Sequence, residues 1–198
     1  MTTPVARLSP KKRGTSRERI VEVSQAIIED EGAEQLTIRR IADTIHRTQP
    51  AVYQHFESKD AILAAVVIQG FSALCERLER AAKGKKDSLT ALAKAYVTFG
   101  LDRPNLYEVM FVGPPIIAFA NPHETPMPAQ TAFRMFATAV AEANPASDRI
   151  ETVTETVWAA LHGLVMLSIT KRLRPGNNLH RARFEALTTA MRAMVGHR

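Results

Sequence analysis

Residues 37–56 read TIRRIADTIHRTQPAVYQHF, and the rest of the chain can be understood by working outward from them. Ile38, Ile41, Ala42 and Ile45 recur at i, i+3, i+4 and i+7, the spacing of one apolar helix face, with Thr37 placed to cap its start. About three residues later Thr48 opens a second short helix. Pro50 is tolerated in its first turn because the N–H groups there have no helical partner. Val52 and Phe56, four apart, turn inward. Two short helices, 37–44 and 48–55, joined by a tight turn have the dimensions of a helix-turn-helix.

On the N-terminal side, a helix is predicted over 15–31. Its stripe is Ile20, Val23, Ile27 and Ile28, with Ser24 among them, and Gly32 stops it. Residues 1–14 form a basic arm without helical periodicity, which can reach a DNA minor groove. On the C-terminal side, Ser58 caps a long helix running to about Lys83, with Ile62, Leu63, Val66, Val67, Phe71, Leu74 and Leu78 on its apolar face. Lys83-Gly84-Lys85-Lys86 breaks it. The first three helices can close a miniature core and leave the helix beginning at Thr48 projecting, so that its N-terminal end can enter a major groove.

The 198 residues are 45% hydrophobic and rich in helix formers, which predicts an all-α protein. The formal charge is +6. It concentrates at the two ends: Arg7, Lys11, Lys12, Arg13, Arg17 and Arg19 face only Glu18 within residues 1–19. A basic arm suits a polyanion, although a solvated tail has the same composition. Cys75 is the single cysteine, which excludes an intramolecular disulfide and favours a reducing, cytoplasmic compartment. No apolar run reaches the roughly 18–20 residues that span a bilayer, so no membrane segment is expected.

Further helices are expected at about 87–101, 103–111, 126–143, 148–172 and 179–195, with residues 113–128, rich in proline, as a long loop. Tyr96, Phe99, Tyr107, Met110, Phe111, Phe133, Phe136, Trp158 and Met166 lie at helical spacing. Such stripes are ordinary core or the lining of a ligand cavity. Helix 148–172 is apolar on two faces, Val153, Val157, Leu161 and Leu164 on one and Trp158, Val165 and Ile169 on the other. It therefore needs two partners. One is its own core. The other, together with the helix bearing Phe184, Leu187, Met191 and Val195, is expected to be the same pair in a second subunit, across a twofold axis.

The segment 36–66, LTIRRIADTIHRTQPAVYQHFESKDAILAAV, resembles the DNA-binding domain of the TetR family of regulators, over roughly residues 15–65, with Tyr53, Phe56 and Lys59 at the family's spacing. The resemblance implies base reading by Arg39, Gln49, Pro50, Ala51 and Gln54, and phosphate contact by Thr37, Thr48, Tyr53, His55 and Lys59. An amide side chain can bond an adenine edge bidentately, whereas phosphate contacts set register only. The sequence departs from the family's usual Gly-Val-Ser turn at His46-Arg47-Thr48. Either the turn geometry differs, or Arg47 extends outward as a further phosphate contact. Trp158-x-x-x-His162-Gly163 is similar to the Trp-x-x-x-His-Gly motif of one C-terminal subclass. His162 then either bonds within a packed core or, with Trp158, Tyr96, Phe99, Tyr107, Met110, Phe111, Phe133 and Met166, lines a pocket for a small, largely apolar or aromatic effector.

These readings predict a basic arm at 1–14, a DNA-binding unit at 15–60 and a ligand-binding and dimerisation unit at 61–198. The partners expected are a double-stranded operator, an effector and a second copy of the chain. The histidines and the cysteine show no metal-ligand spacing, and no phosphate-cradling glycine loop or nucleophile–base pair is evident, so neither catalysis nor a cofactor is expected. A ligand-sequestering dimer or a non-specific DNA coater remains the alternative.

Overall fold

The computed structural model describes residues 15–112 and 125–196. The basic arm and most of the proline-rich loop lie outside the described residues. Helices follow one another as α1 (Ser16–Glu31), α2 (Ile38–Thr44), α3 (Gln49–Tyr53), α4 (Lys59–Ala82), α5 (Ser88–Asp102), α6 (Pro104–Phe111), α7 (Met127–Ala143), α8 (Ile150–Ile169) and α9 (Asn177–Gly196). A 3-10 turn, Ala33–Gln35, joins α1 to α2. The protein is all-α, with no strand among the described residues.

Local chemistry sets the helix ends. Thr15 and Glu18 form a reciprocal capping box at α1, satisfying two N–H groups that have no helical partner. Gly32, at φ +93°, ends the helix in a conformation few other residues accept. Thr37, Ser58 and Asp87 cap α2, α4 and α5 through their side chains. Thr48 occupies the cap position of α3, but its hydroxyl makes no capping bond, contrary to expectation. Pro50 has already removed one of the N–H groups that would need one.

Ile20, Ile28, Leu36, Ile41, Val52 and Phe56 meet the N-terminal half of α4 in a small core, each at most 4% exposed. The buried Ser24 is satisfied by donating to Ile20 O at 2.7 Å. α4 packs most extensively on α5 and α7, and α8 closes the bundle against both. α6 packs on α1 and α4, and so bridges the two halves of the chain. By length and apolarity alone, α4 and α8 would qualify to cross a bilayer, a test that the core helices of a bundle also pass. Their apolarity has another cause: both supply the core, α4 through Ile62, Val66, Phe71, Leu74 and Leu78 and α8 through Val157, Leu161 and Val165.

The unusual turn has ordinary geometry. His46 sits at φ +55°. Its N–H donates to Asp43 O at 3.2 Å, and the Arg47 N–H donates to Ala42 O at 2.9 Å. Those two bonds form a complete Schellman motif, whose left-handed position is normally glycine. A β-carbon there costs about 1–2 kcal/mol, while glycine loses about 0.5–1 kcal/mol more chain entropy on folding. His46→Gly is therefore expected to stabilise the protein by about 0.5–1 kcal/mol in urea unfolding. An unchanged or lower midpoint would mean that His46 makes a compensating contact.

Candidate functional site

α3 is short, and its two sides differ sharply. Val52 is fully buried and Phe56, just beyond the helix, is 4% exposed, which ties the stub to the small core. Gln49, Pro50, Tyr53, Gln54 and His55 are exposed and Ala51 is half-buried. Tyr53, at 52% exposure, is not a packed core aromatic. Around the stub, Thr37, His46, Arg47 and Thr48 are exposed and Lys59 is half-buried in the first turn of α4. Arg39 is largely solvated, with a long 3.8 Å contact to Asp43 on its own helix. Arg40, by contrast, is engaged with Glu31. Arg17, which the sequence marks only as one of the N-terminal bases, stacks over the Phe56 ring at 4.5 Å and places a guanidinium beside the foot of α3. The result is a surface of amide, hydroxyl and cationic groups with few internal partners, carried on an apolar anchor.

A second feature lies in the other half. A cavity of about 710 Å³ opens between α4, α6, α7 and α8. Phe71, Phe111, Phe133 and Trp158 supply aromatic walls, and Gln130, Arg134, Glu151 and Glu155 are among its polar lining. Of the residues expected to line a pocket, Phe111, Phe133 and Trp158 do so. Phe99 and Met110 are packed solid instead, at 1% and 2% exposure. Met110 fills the space left by Gly70, where an added β-carbon would lie 2.7 Å from its sulfur. Met166 is half-buried against the core. The four polar lining residues were missed. Their signal was present in the spacing: Glu151, Glu155 and Trp158 share one stripe of α8, and Gln130, Phe133 and Arg134 share one stripe of α7.

Tyr96, Tyr107 and His162 form a polar thread through this region. The Tyr96 and Tyr107 hydroxyls are 2.7 Å apart, and the Tyr107 hydroxyl lies 2.8 Å from His162 Nδ1. Tyr107 also stacks on the imidazole, with ring centroids 5.6 Å apart. Burial drives both tyrosines well above their ordinary pKa, so they remain protonated donors. Burial pushes His162 below its ordinary value of 6.5 and favours the neutral ring. In that state Tyr107 can donate to Nδ1 while accepting from Tyr96.

As the pH falls, the unfolded chain therefore takes up the His162 proton before the folded one does. The stability contributed by neutral imidazole is complete above about pH 6.5 and is lost as acid titrates the unfolded state below it. His162→Gln is expected to flatten the decline in unfolding free energy between pH 7 and 5. An unchanged slope would assign the acid sensitivity to other groups.

The expected subunit-contact residues divide. Val153, Val157, Leu161 and Met191 are at most 9% exposed within the protomer, so they belong to its own core and not to an outer face. Leu164, Phe184 and Leu187 are half-buried. The outward side of α8 instead carries Thr152, Thr156, Ala159 and Leu167, with Gly163 alongside. The outward side of α9 carries Leu179, Ala182, Ala186 and Ala190. A β-carbon built on Gly163 would meet nothing within 4 Å.

Comparison with known proteins follows the same division of the chain. Residues 20–66 match the family described as bacterial regulatory proteins, tetR family, and residues 89–191 match the tetracyclin repressor-like C-terminal domain. The chain is similar to an uncharacterized HTH-type transcriptional regulator of Mycobacterium tuberculosis, 27% identical over 157 residues that cover 78% of this chain and 71% of the relative. A Bacillus subtilis regulator, YobS, is 25% identical over 48% of this chain and 51% of its own length. Among solved structures, a protein from Rhodococcus sp. RHA1 superposes with a TM-score of 0.74 at 23% identity, covering 94% of this chain and 96% of that one. BioQ, solved with its double-stranded DNA operator, superposes at 0.63 with 18% identity over 91% of this chain and 99% of its own.

Proposed function

Because the chain belongs to the TetR family of DNA-binding transcriptional regulators, we propose that it is a ligand-responsive repressor that grips a palindromic operator as a homodimer and is released by a small, largely apolar or aromatic effector. The observation that carries this reading is the exposure of Gln49 and Gln54 on a stub whose Val52 is fully buried. Arg39, Gln49, Pro50, Ala51 and Gln54 are assigned to base edges. Thr37, Arg47, Thr48, Tyr53, His55 and Lys59 are assigned to phosphates. The regular left-handed turn at His46 supports Arg47 in that role, because it leaves the side chain in solvent. Residues 15–60 act as the DNA-reading unit and 61–198 as the effector and dimer unit, in a cytoplasmic protein.

Trp158, His162 and Gly163 are taken to mark the Trp-x-x-x-His-Gly subclass, with Trp158 at the cavity and Gly163 at the subunit contact. The dimer face is assigned to the small outward residues of α8 and α9. Glycine within a helix costs about 1 kcal/mol relative to alanine, and no described residue lies within 4 Å of where a Gly163 β-carbon would be to explain it. Close approach of a helix from a second subunit would. Two recognition stubs at fixed spacing then match two half-sites.

Effector release follows from the connections of the cavity. Phe71 belongs to α4 and Phe111 to α6, and both line it. α6 is bound to α1 by Asn105, whose Nδ2 donates to Glu29 O at 3.0 Å, and by an Arg103–Glu29 contact of 3.7 Å. An occupant that displaces those two rings shifts the elements bearing α3. It alters DNA affinity only by its difference in affinity between the two arrangements.

Selection of bound fragments from a random duplex pool tests the proposal. A palindromic consensus with a discrete footprint is expected. Gln49→Ala should cost about 1–3 kcal/mol at the cognate site and relax its selectivity, whereas Lys59→Ala should weaken all sequences alike. A smear of binding with steep salt dependence and no consensus would replace the operator reading with non-specific coating.

A further inference from the structure

We infer that the effector taken by the cavity is a lipophilic aromatic cation. This deepens the reading of that cavity as the effector site and rests on it.

Four aromatic residues among those described line the space, and the face of an aromatic ring attracts a cation through its quadrupole. Trp158, the ring best suited to that interaction, is half-buried, with Phe133 at 5.9 Å between ring centroids. Walls of this kind accept any flat apolar body, so they do not set the charge. The carboxylates do. Glu155 and Glu151 lie one and two turns before Trp158 on the same stripe of α8, and both line the cavity. Two like charges at i and i+4 disfavour a helix. Neither has an ion pair among the described residues, whereas acids one turn from an arginine elsewhere are paired, as in Glu76–Arg80 and Glu185–Arg181. Glu151 lies in the first turn of α8, where the helix N-terminus favours negative charge.

The one cation among the described lining residues is Arg134. It is drawn along its own helix, donating to Thr131 Oγ1 at 3.1 Å and reaching Met127 Sδ at 3.6 Å. The described lining thus carries an excess of negative charge beside aromatic faces. A volume of about 710 Å³ falls in the range that encloses a drug-sized molecule. An organic cation gains from both features. An anion of the same shape meets two carboxylates.

Tetraphenylphosphonium and tetraphenylborate, nearly identical in shape and opposite in charge, make the test. Trp158 is the only tryptophan, so intrinsic fluorescence of the full chain reports directly on the cavity. Tetraphenylphosphonium is expected to quench it with an affinity on the order of tenfold above that of tetraphenylborate, a preference that shrinks at high salt. In the Glu151→Gln, Glu155→Gln double variant the preference should disappear through loss of cation affinity alone. The wild-type ratio stands independently of that variant's folding. Equal or tighter binding of the borate would overturn the cationic assignment while leaving the cavity as the effector site. No response of Trp158 to either probe, with no heat of binding by calorimetry, would remove the effector site as well.

Discussion

Gly163→Glu is expected to dissociate the dimer and to lower affinity for the cognate duplex by on the order of a thousandfold, to the level of non-specific binding. The argument begins with what lies around the residue. Gly163 has open space where its β-carbon would be, with nothing among the described residues within 4 Å. Its neighbours on the outward side of α8 are Thr156, Ala159 and Leu167. A surface of such small residues lets a facing helix come close. An ionised carboxylate buried there without a partner is strongly unfavourable. Loss of the second subunit removes one of two half-site contacts, and the specificity of the pair falls with it. Gly163→Ala separates the two roles of the position. It should stabilise the isolated helix by about 0.5–1 kcal/mol while weakening association. Sedimentation velocity and footprinting on the same samples read both. A Gly163→Glu protein that stayed dimeric and kept its footprint would move the subunit contact to another face.

That prediction differs from what the sequence suggested about α8, and the difference is instructive. Periodicity showed that the helix has two apolar sides, but it could not say that both face its own bundle. Val157 and Leu161 from one and Val165 from the other are fully buried. The outward side reads as unremarkable threonine, alanine and glycine, because close helix contacts select small residues and not hydrophobic ones. The same limitation hid the cavity's charge. Glu151 and Glu155 are exposed residues of α8, and only the placing of α4, α6 and α7 shows that they border the cavity. The N-terminal helices were easier to read, because capping and termination are local. Thr37, Ser58 and Gly32 act within three or four residues of themselves. The left-handed turn was legible as a conflict between His46 and the glycine normally found there. Its resolution, at φ +55° with both Schellman bonds made, required the backbone. Thr48 failed as a capping side chain even though it holds the cap position, so position alone does not establish the bond.

Gly100 gave no sequence signal at all, and it supports the second large effect. It lies in α5 where that helix meets α6 and α8. A β-carbon there would lie 2.4 Å from Val165 Cγ1 and 2.9 Å from Tyr107 Cδ2, closer than packed atoms allow. Val165 and Tyr107 are both fully buried, so neither can swing into solvent. Tyr107 is further held by hydroxyl contacts to Tyr96 and His162 at 2.7 and 2.8 Å. Gly100→Val must therefore push α5 from α8 or break the polar thread. It is expected to destabilise the fold by about 3 kcal/mol, at the upper end for overpacking a core, even though valine is a better helix former than glycine. A double-mutant cycle identifies the cause. Val165→Ala removes the methyl group that would clash, so Gly100→Ala should cost less in that background than in the wild type, by a coupling on the order of 1 kcal/mol. Additive effects would show that the backbone separates freely at this crossing. In that case the close approach of α5 to α8 would not be what holds Tyr107 in register with His162.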